Sequence, residues 1–271
     1  MHDVSDAGFA ALTAKIARDR GFGCASYKEK CLRRRIAVRM RARGVHTYED
    51  YARVLDADRA EYDRLLDALT INVTKLFRNW ETYSAVAEKV VPALWSRGEP
   101  LSVWSAGCSS GEEPYSVAAL FHRHAESAGA VNDLARRVRV LGSDIDARCL
   151  EAAERGTFEE ADFADTPPDL RARYFDERPP FTIAPDVRQL VRFEKHDLLA
   201  QLPPAAPHHL IFCRNVLIYF DRETQERLFE RFHAALAPGG FLVLGKVETL
   251  LGAARSRFAV VDARERIYRA A

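Results

Sequence analysis

The chain has 271 residues, 48% of them hydrophobic, and its 40 basic and 39 acidic side chains leave a formal net charge of +1. That length suits one large domain or a catalytic domain with a smaller companion. The near-neutral balance removes global charge as a reason to expect a nucleic-acid partner, so any steering of a charged partner must come from local clusters. The five cysteines (Cys24, Cys31, Cys108, Cys149 and Cys213) lack the spacing of a zinc site or a redox dithiol. No metal is expected, and they read as free thiols of a reducing compartment. The start, MHDVSDAGFAAL, has no basic n-region or apolar core, and no stretch approaches the roughly 18 to 20 apolar residues that span a bilayer. A cytoplasmic protein without membrane insertion is expected.

The first part of the chain reads as helical. Phe9, Leu12, Ile16, then Leu32, Ile36, Met40, then Tyr51, Val54, Leu55, then Tyr62, Leu65, Leu66, Leu69 recur at spacings of three to four, with breaks at Gly21, Gly23 and Gly44. An all-helical N-terminal domain is predicted over 1–91, followed by a linker over 92–100. From Leu101 the texture changes. LSVWSAG, VRVLGSDI, HLIFCRN and GFLVLG read as buried strands, and helices are predicted over Glu112–Ala125, Ala147–Arg155 and Arg222–Leu236. Strand followed by helix, repeated, predicts an α/β domain over 101–271 with a parallel sheet. The proline-rich stretch over about 159–196 reads as a small antiparallel insertion. The last run, RFAVVDARERIYRA, is predicted to pair antiparallel with Phe241–Gly245.

The first strand runs into S-A-G-C-S-S-G-E-E-P-Y-S and then a helix. Gly107 and Gly111 permit a tight turn and close approach of a ligand to the backbone. A dinucleotide turn would read G-x-G-x-x-G and a P-loop would continue Gly-Lys-Ser/Thr. Here the spacing is G-x-x-x-G, and Glu112 and Glu113 stand where a phosphate would be repelled. A cationic, phosphate-free ligand such as the sulfonium S-adenosylmethionine fits better; simple stabilisation of a helix N-terminus by two acids explains the glutamates equally well. Asp144 ends the second strand, where an acid can accept from ribose hydroxyls, while Asp146 suits a helix cap. At the end of the next strand Asn215 can read an adenine or ribose edge, and Arg214 offers a forked donor for a carboxylate or a partner for a surface acid.

Four segments in order, INVTKLFRNWETY (71–83), VWSAGCSSGEEPYS (103–116), GSDIDARCLEAAERGTF (142–158) and FCRNVLIYFDRETQERL (212–228), resemble the chemotaxis receptor methyltransferase family, CheR. The resemblance covers nearly the whole chain. It implies a Rossmann-like class I S-adenosylmethionine-dependent methyltransferase domain with a small inserted β-subdomain, preceded by an all-helical domain. It also implies an enzyme that forms methyl esters on receptor glutamates and releases S-adenosylhomocysteine. By resemblance Asn72, Thr74 and Arg78 come from the N-terminal domain and close over the cofactor. Glu113, with Glu112 as the alternative, Asp144 and the Asn215-Val216 pair contact it, beside the turn of Gly107, and Asp197-Leu198 meet the adenine end. Arg78, Arg214 and Tyr219 surround the reacting carboxylate. The chain departs from the family at Lys75-Leu76-Phe77 before Arg78 and Asn79 after it, at Asp197 for asparagine, and at Gly245-Lys246-Val247-Glu248 for G-H-S-E.

A basic run over 28–43 places Arg35, Arg39 and Arg43 on one helix face. With glutamate-rich receptor methylation helices as the implied substrates, this face is expected to steer and dock them. Nucleic acid is not expected, since no aromatic interleaving accompanies the run. The inserted stretch DERPPFTIAPDV lacks the glycine loop that binds a receptor-tail peptide in some family members, so no tether is expected, and the resemblance suggests a monomer. The competing readings are a catalytically weak sensor of S-adenosylmethionine or S-adenosylhomocysteine, and a small-molecule O-methyltransferase.

Overall fold

The computed structural model describes residues 3–70, 72–204 and 207–271. The chain divides into two compact units: one runs from the N-terminus to Asn72 and includes Tyr219–Thr224, and the other holds Val73–Ile218 and Gln225–Ala271.

The first unit is helical: α1 (Asp3–Arg20), α2 (Glu29–Ala42), α3 (Tyr48–Ala57) and α4 (Arg59–Thr70). The apolar positions spaced at three and four form its core: Leu12, Ile16, Ile36, Tyr51, Leu65 and Leu69 are almost wholly buried. Thr47 caps α3 by accepting from the Asp50 N–H at 3.1 Å, which satisfies one of the donors a helix start leaves unpaired. A short segment from far along the chain completes this unit. The Lys28 N–H donates to the Tyr219 carbonyl at 2.8 Å and the Asp221 N–H to the Ser26 carbonyl at 3.0 Å. The Phe220 ring meets Tyr27 edge-on at 5.0 Å.

The second unit opens with α5 (Trp80–Ala85), a π-helical turn (Val86–Val90) and α6 (Val91–Trp95). Tyr83, Val86, Val90, Val91 and Leu94 belong to the α/β core. The helical domain therefore stops at Asn72 rather than at 91, because the apolar faces of α5 and α6 are buried in the core of the sheet unit. The strands that follow are β1 (Leu101–Ala106), β2 (Val138–Asp144), β3 (Thr157–Phe158), β4 (Phe181–Thr182), β5 (Val191–Lys195), β6 (His208–Cys213), β7 (Leu236–Leu244), β8 (Phe258–Asp262) and β9 (Ile267–Ala270). Between them lie α7 (Glu112–Ser127), α8 (Val131–Arg137), α9 (Ala147–Arg155), α10 (Pro168–Tyr174), α11 (Pro185–Arg188), α12 (Arg222–Ala235) and α13 (Ala254–Arg257).

Seven strands form one sheet in the order β5-β2-β1-β6-β7-β9-β8. β1 pairs parallel with β2 (Val103 opposite Val140) and with β6 (Val103 opposite Leu210). β1 is therefore the point where the strand order reverses, and ligands of open α/β sheets bind beyond the carboxyl ends of the strands there. β6 is buried at every position, as a strand with neighbours on both edges and helices on both faces should be. The C-terminal run is a hairpin rather than one strand: β9 pairs antiparallel with β7 (Phe241 opposite Arg269) and β8 pairs with β9. The insertion is smaller than expected. Among the described residues β3 and β4 form a separate antiparallel pair, Phe158 opposite Phe181, with an isolated antiparallel bridge between Phe175 and Ile183. Val191–Lys195 instead extends the main sheet parallel to β2, with Gly142 opposite Phe193.

Candidate active site

The loop after β1 is tied to the end of β2. The Gly107 and Cys108 N–H groups donate to the Ser143 carbonyl at 2.8 and 2.9 Å, and the Ser109 N–H donates to Asp144 Oδ2 at 2.9 Å. Gly107 has φ +79°, and a Cβ there would lie 2.6 Å from Val216 Cγ2. No L side chain fits, so the turn after β1 and the turn after β6 close on one another at van der Waals distance. Asp144 sits at the strand end as expected, while Asp146 caps α9 by accepting from the Arg148 and Cys149 N–H groups. Burial pushes the Asp144 carboxyl up, against the pull of the peptide N–H groups of Asp146 and Ser109.

Gly111, in the left-handed region at φ +94°, turns the chain into α7 and brings Glu112 and Glu113 to its first turn. Both are buried. Glu112 accepts from Ser110 Oγ at 2.8 Å, and the nearby Thr74 hydroxyl also favours its charged form. Glu113 accepts from Ser105 Oγ at 2.8 Å. Burial raises each carboxyl from its usual 4.5 to about 7. For Glu113 the nearby Arg214 and Arg78 guanidinium groups oppose that rise without cancelling it.

Arg214 is buried at the end of β6. Its Nη1 lies 3.7 Å from Glu113 Oε2 and donates to the Tyr83 hydroxyl at 3.4 Å. Its Nη2 donates to the Arg78 carbonyl at 2.9 Å and to Asn79 Oδ1 at 3.3 Å. Its Nε is buried without a partner among the described residues. The surface-pair alternative for Arg214 is thereby removed. Thr74, Arg78, Glu112, Glu113, Arg214, Asn215 and Val216 all belong to the α/β unit. Tyr83, Ser105 and Ser109 join them unforeseen. Ser105 and Ser109 flank motif glycines without charge, and Tyr83 reads in sequence as an ordinary helix residue.

At the end of β5 the Asp197 carboxylate closes its own turn, accepting from the Leu199 N–H at 2.8 Å and the Ala200 N–H at 3.3 Å. Arg231 of α12 holds the same turn by donating to the Leu198 carbonyl at 2.9 Å and the Leu199 carbonyl at 3.1 Å. Asn72 and Tyr219 belong to the helical unit, where the Asn72 amide donates to Thr70 Oγ1 at 3.4 Å and the Arg35 guanidinium lies 4.7 Å over the Tyr219 ring.

The basic face of α2 differs from its sequence reading. Arg35 is buried and donates to the Leu69 carbonyl. Arg39 makes a two-pronged pair with Glu61, at 2.9 and 2.6 Å, and Arg43 pairs with Asp58 at 3.1 Å. These three arginines serve the interior and the seams of their own unit because Asp58 ahead of α4, and Glu61 and the Leu69 carbonyl within it, lie opposite them. Within α2 the exposed cations without an ion-pair partner among the described residues are Lys30, Arg34 and Arg41, which flank the half-exposed Val38 on the outward face.

Buried carboxylates, a glycine cradle that any Cβ would fill, and the orphaned Ser109 Oγ suit a cationic nucleoside such as S-adenosylmethionine and would repel a polyphosphate. Among the described residues there is no cluster of three or more metal-ligating side chains, and no helix is long and apolar enough to cross a membrane. A parallel sheet with reversal at β1, a glycine turn after it and an acid ending β2 fit the fold of a class I S-adenosylmethionine-dependent methyltransferase.

Residues 72–267 match the family model for the CheR methyltransferase SAM-binding domain, and residues 7–70 match that for the CheR methyltransferase all-alpha domain. The chain belongs to the CheR methyltransferase family. It is 35% identical over 255 residues to a chemotaxis protein methyltransferase of Klebsiella aerogenes, covering 90% of this chain and 84% of that one. A chemotaxis protein methyltransferase of Listeria monocytogenes is 35% identical over 245 residues, with 89% and 90% covered. An uncharacterised 104.1 kDa protein of Rhodobacter capsulatus is 38% identical over 248 residues, and there the match spans 90% of this chain but only 25% of the relative.

Proposed function

We propose that the chain transfers the methyl group of S-adenosylmethionine to glutamate side-chain carboxylates of chemotaxis receptors, leaving glutamyl methyl esters and S-adenosylhomocysteine. Family membership and the two chemotaxis methyltransferase relatives support the receptor as substrate. The observation that carries the chemistry is Arg214, a buried guanidinium beside the cofactor loop with one N–H left for an incoming oxygen.

A glutamate side chain, with a reference pKa near 4.3, is already an ionised nucleophile at neutral pH. No general base is required of the protein. Bound S-adenosylmethionine supplies an electrophilic methyl group, and the chain's own residues align the acceptor with it. Charge is neutralised as the ester forms, so a strongly anion-binding pocket would hold the ground state too tightly. Arg214 meets that requirement because its Nη atoms are already engaged by Arg78, Asn79 and Tyr83. We assign Arg78 and Tyr219 to the same carboxylate. We assign Asn72, Thr74, Gly107, Glu112, Glu113, Asp144, Leu198, Asn215 and Val216 to the cofactor, with Asp197 shaping its turn.

For the partner, the reading places acidic receptor helices on Lys30, Arg34 and Arg41, the cations of α2 left open to solvent. It places the enzyme in the cytoplasm as a monomer that needs no receptor-tail tether.

The test is transfer of labelled methyl to purified receptor cytoplasmic fragments, read as alkali-labile methanol. Label that disappears when acceptor glutamates become alanine supports the proposal. Intact cofactor binding without transfer to any receptor favours a sensor instead. Reversing Arg34 and Arg41 to glutamate should raise the KM for receptor on the order of tenfold at low salt, a gap that closes as salt screens it.

A further inference from the structure

Glu248 lies in the turn after β7, 5% exposed, and no cation pairs with it among the described residues. Peptide N–H groups hold its carboxylate. Oε2 accepts from the Gly245 N–H at 2.7 Å and the Asn215 N–H at 2.9 Å, and Oε1 accepts from the Ile218 N–H at 3.3 Å. The Leu217 N–H lies close enough to favour the charged form of the carboxylate as well. A carboxylate inside a nest of main-chain donors is a strong local organiser, because removing it takes the acceptor from one buried and two half-buried N–H groups.

The donors belong to two turns. Gly245 follows β7, while Asn215 and Ile218 follow β6. The second of these is held in an uncommon conformation, with Asn215 in the left-handed region at φ +61°, which for a residue with a Cβ persists only when its surroundings impose it. Gly245 is shaped by the same contact: a Cβ there would lie 2.7 Å from Glu248 Oε2 and 2.9 Å from the Asn215 nitrogen. The turn so fixed carries Val216, whose methyl groups close against Gly107.

We propose that Glu248 is a positioning residue for the cofactor site: its carboxylate imposes the conformation of the Asn215–Ile218 turn, and so sets one wall of the cradle that Gly107 opens. The inference rests on the assignment of Asn215 and Val216 to the cofactor. It explains why a glutamate stands where no charge partner exists. Burial pushes its carboxyl up, and the converging N–H groups resist that rise.

The test uses the full chain with Glu248→Gln and Glu248→Ala, and Asn215→Ala as the control. The glutamine keeps an oxygen for the Gly245 and Asn215 N–H groups but turns an NH2 towards Ile218 and Leu217. Binding of S-adenosylhomocysteine, measured by calorimetry, should weaken about tenfold in Glu248→Gln and towards a hundredfold in Glu248→Ala, the scale of outer-shell losses. Amide exchange in the ligand-free protein should quicken at Asn215 and Ile218 while β1 and β2 stay protected. A folded Glu248→Gln variant that binds within twofold of the parent would overturn the proposal. So would exchange that quickens across the whole sheet, which marks a merely structural residue. Weak binding in Asn215→Ala but not in the Glu248 variants sinks the role of Glu248 alone, and loss in neither sinks the assignment of Asn215 with it.

Discussion

Glu61 in the helical unit and Glu113 in the α/β unit are both buried beside an arginine, yet the two pairs are built to opposite ends. Glu61 receives two short hydrogen bonds from Arg39 and a third from the Tyr51 hydroxyl at 2.8 Å. Burial pushes its carboxyl up, but those bonds outweigh it and hold the group below its ordinary value. Glu113 has one hydroxyl donor and an arginine at 3.7 Å whose hydrogen bonds go elsewhere, and burial wins, raising it to about 7. Saturated hydrogen bonding makes an ion pair structural. Incomplete pairing leaves a carboxylate and a guanidinium each with capacity for a ligand, which is how buried charge is arranged at a site that must bind something.

The sharpest break in this comparison is Arg214→Ala. If Arg214 orients the acceptor, turnover should fall on the order of a hundredfold to a thousandfold, comparable with loss of one preorganised donor. Binding of S-adenosylhomocysteine should stay within a few fold; unchanged turnover would remove Arg214 from the reaction. Arg39→Ala should do the reverse. Losing both Arg39 hydrogen bonds leaves Glu61 the Tyr51 hydroxyl and the more distant Arg43 and Arg64, and should cost about 2 kcal/mol of folding stability in denaturant titrations, while the folded fraction keeps its kcat. A large loss of kcat at full stability would mean that Arg39 acts on substrate after all.

A smaller effect separates the pairs by pH. A carboxyl raised from 4.5 to about 7 favours folding fully below 4.5 and withdraws that support as pH rises through 7, the case for Glu112 and Glu113. Glu61, held below its ordinary value, contributes above 4.5 and is lost as pH falls. Glutamine at 112 and 113 should therefore flatten the fall in melting temperature between pH 5.5 and 8 in the ligand-free protein, whereas Glu61→Gln should alter only the acid limb. A cationic cofactor prefers both site carboxylates ionised. S-adenosylmethionine should thus bind more tightly at pH 8 than at pH 6, with protons released near pH 7 in calorimetry run in two buffers. Equal affinity at both values would place these glutamates away from the cofactor's charge.

The local signals carried far. Apolar spacing placed α1 to α4, and the glycine turn, Asp144 and the Arg214-Asn215 step were readable because each sits at the end of a buried strand, where short motifs and strand topology speak together. The arginines of α2 were readable as a face but not by direction. Periodicity groups Arg35, Arg39 and Arg43, while only Glu61, Asp58 and the Leu69 carbonyl, contributed by other stretches of chain, decide that the group serves the unit's interior.

The sequence by itself determined the helices of the first unit, the central strands, the glycine turn after β1 and the family, since these rest on contacts between near neighbours along the chain or on motifs long enough to be distinctive. Tertiary structure alone decided that the helical unit ends at Asn72, that Val191–Lys195 joins the main sheet, and that Tyr219–Thr224 belongs with α1–α4. It also decided which acids are poised and which are satisfied. The physical reason is common to all of these: the state of a charge or an apolar face depends on the partner it meets, and the partners of Glu113, Glu248 and Arg39 lie in turns and helices that only folding brings to them.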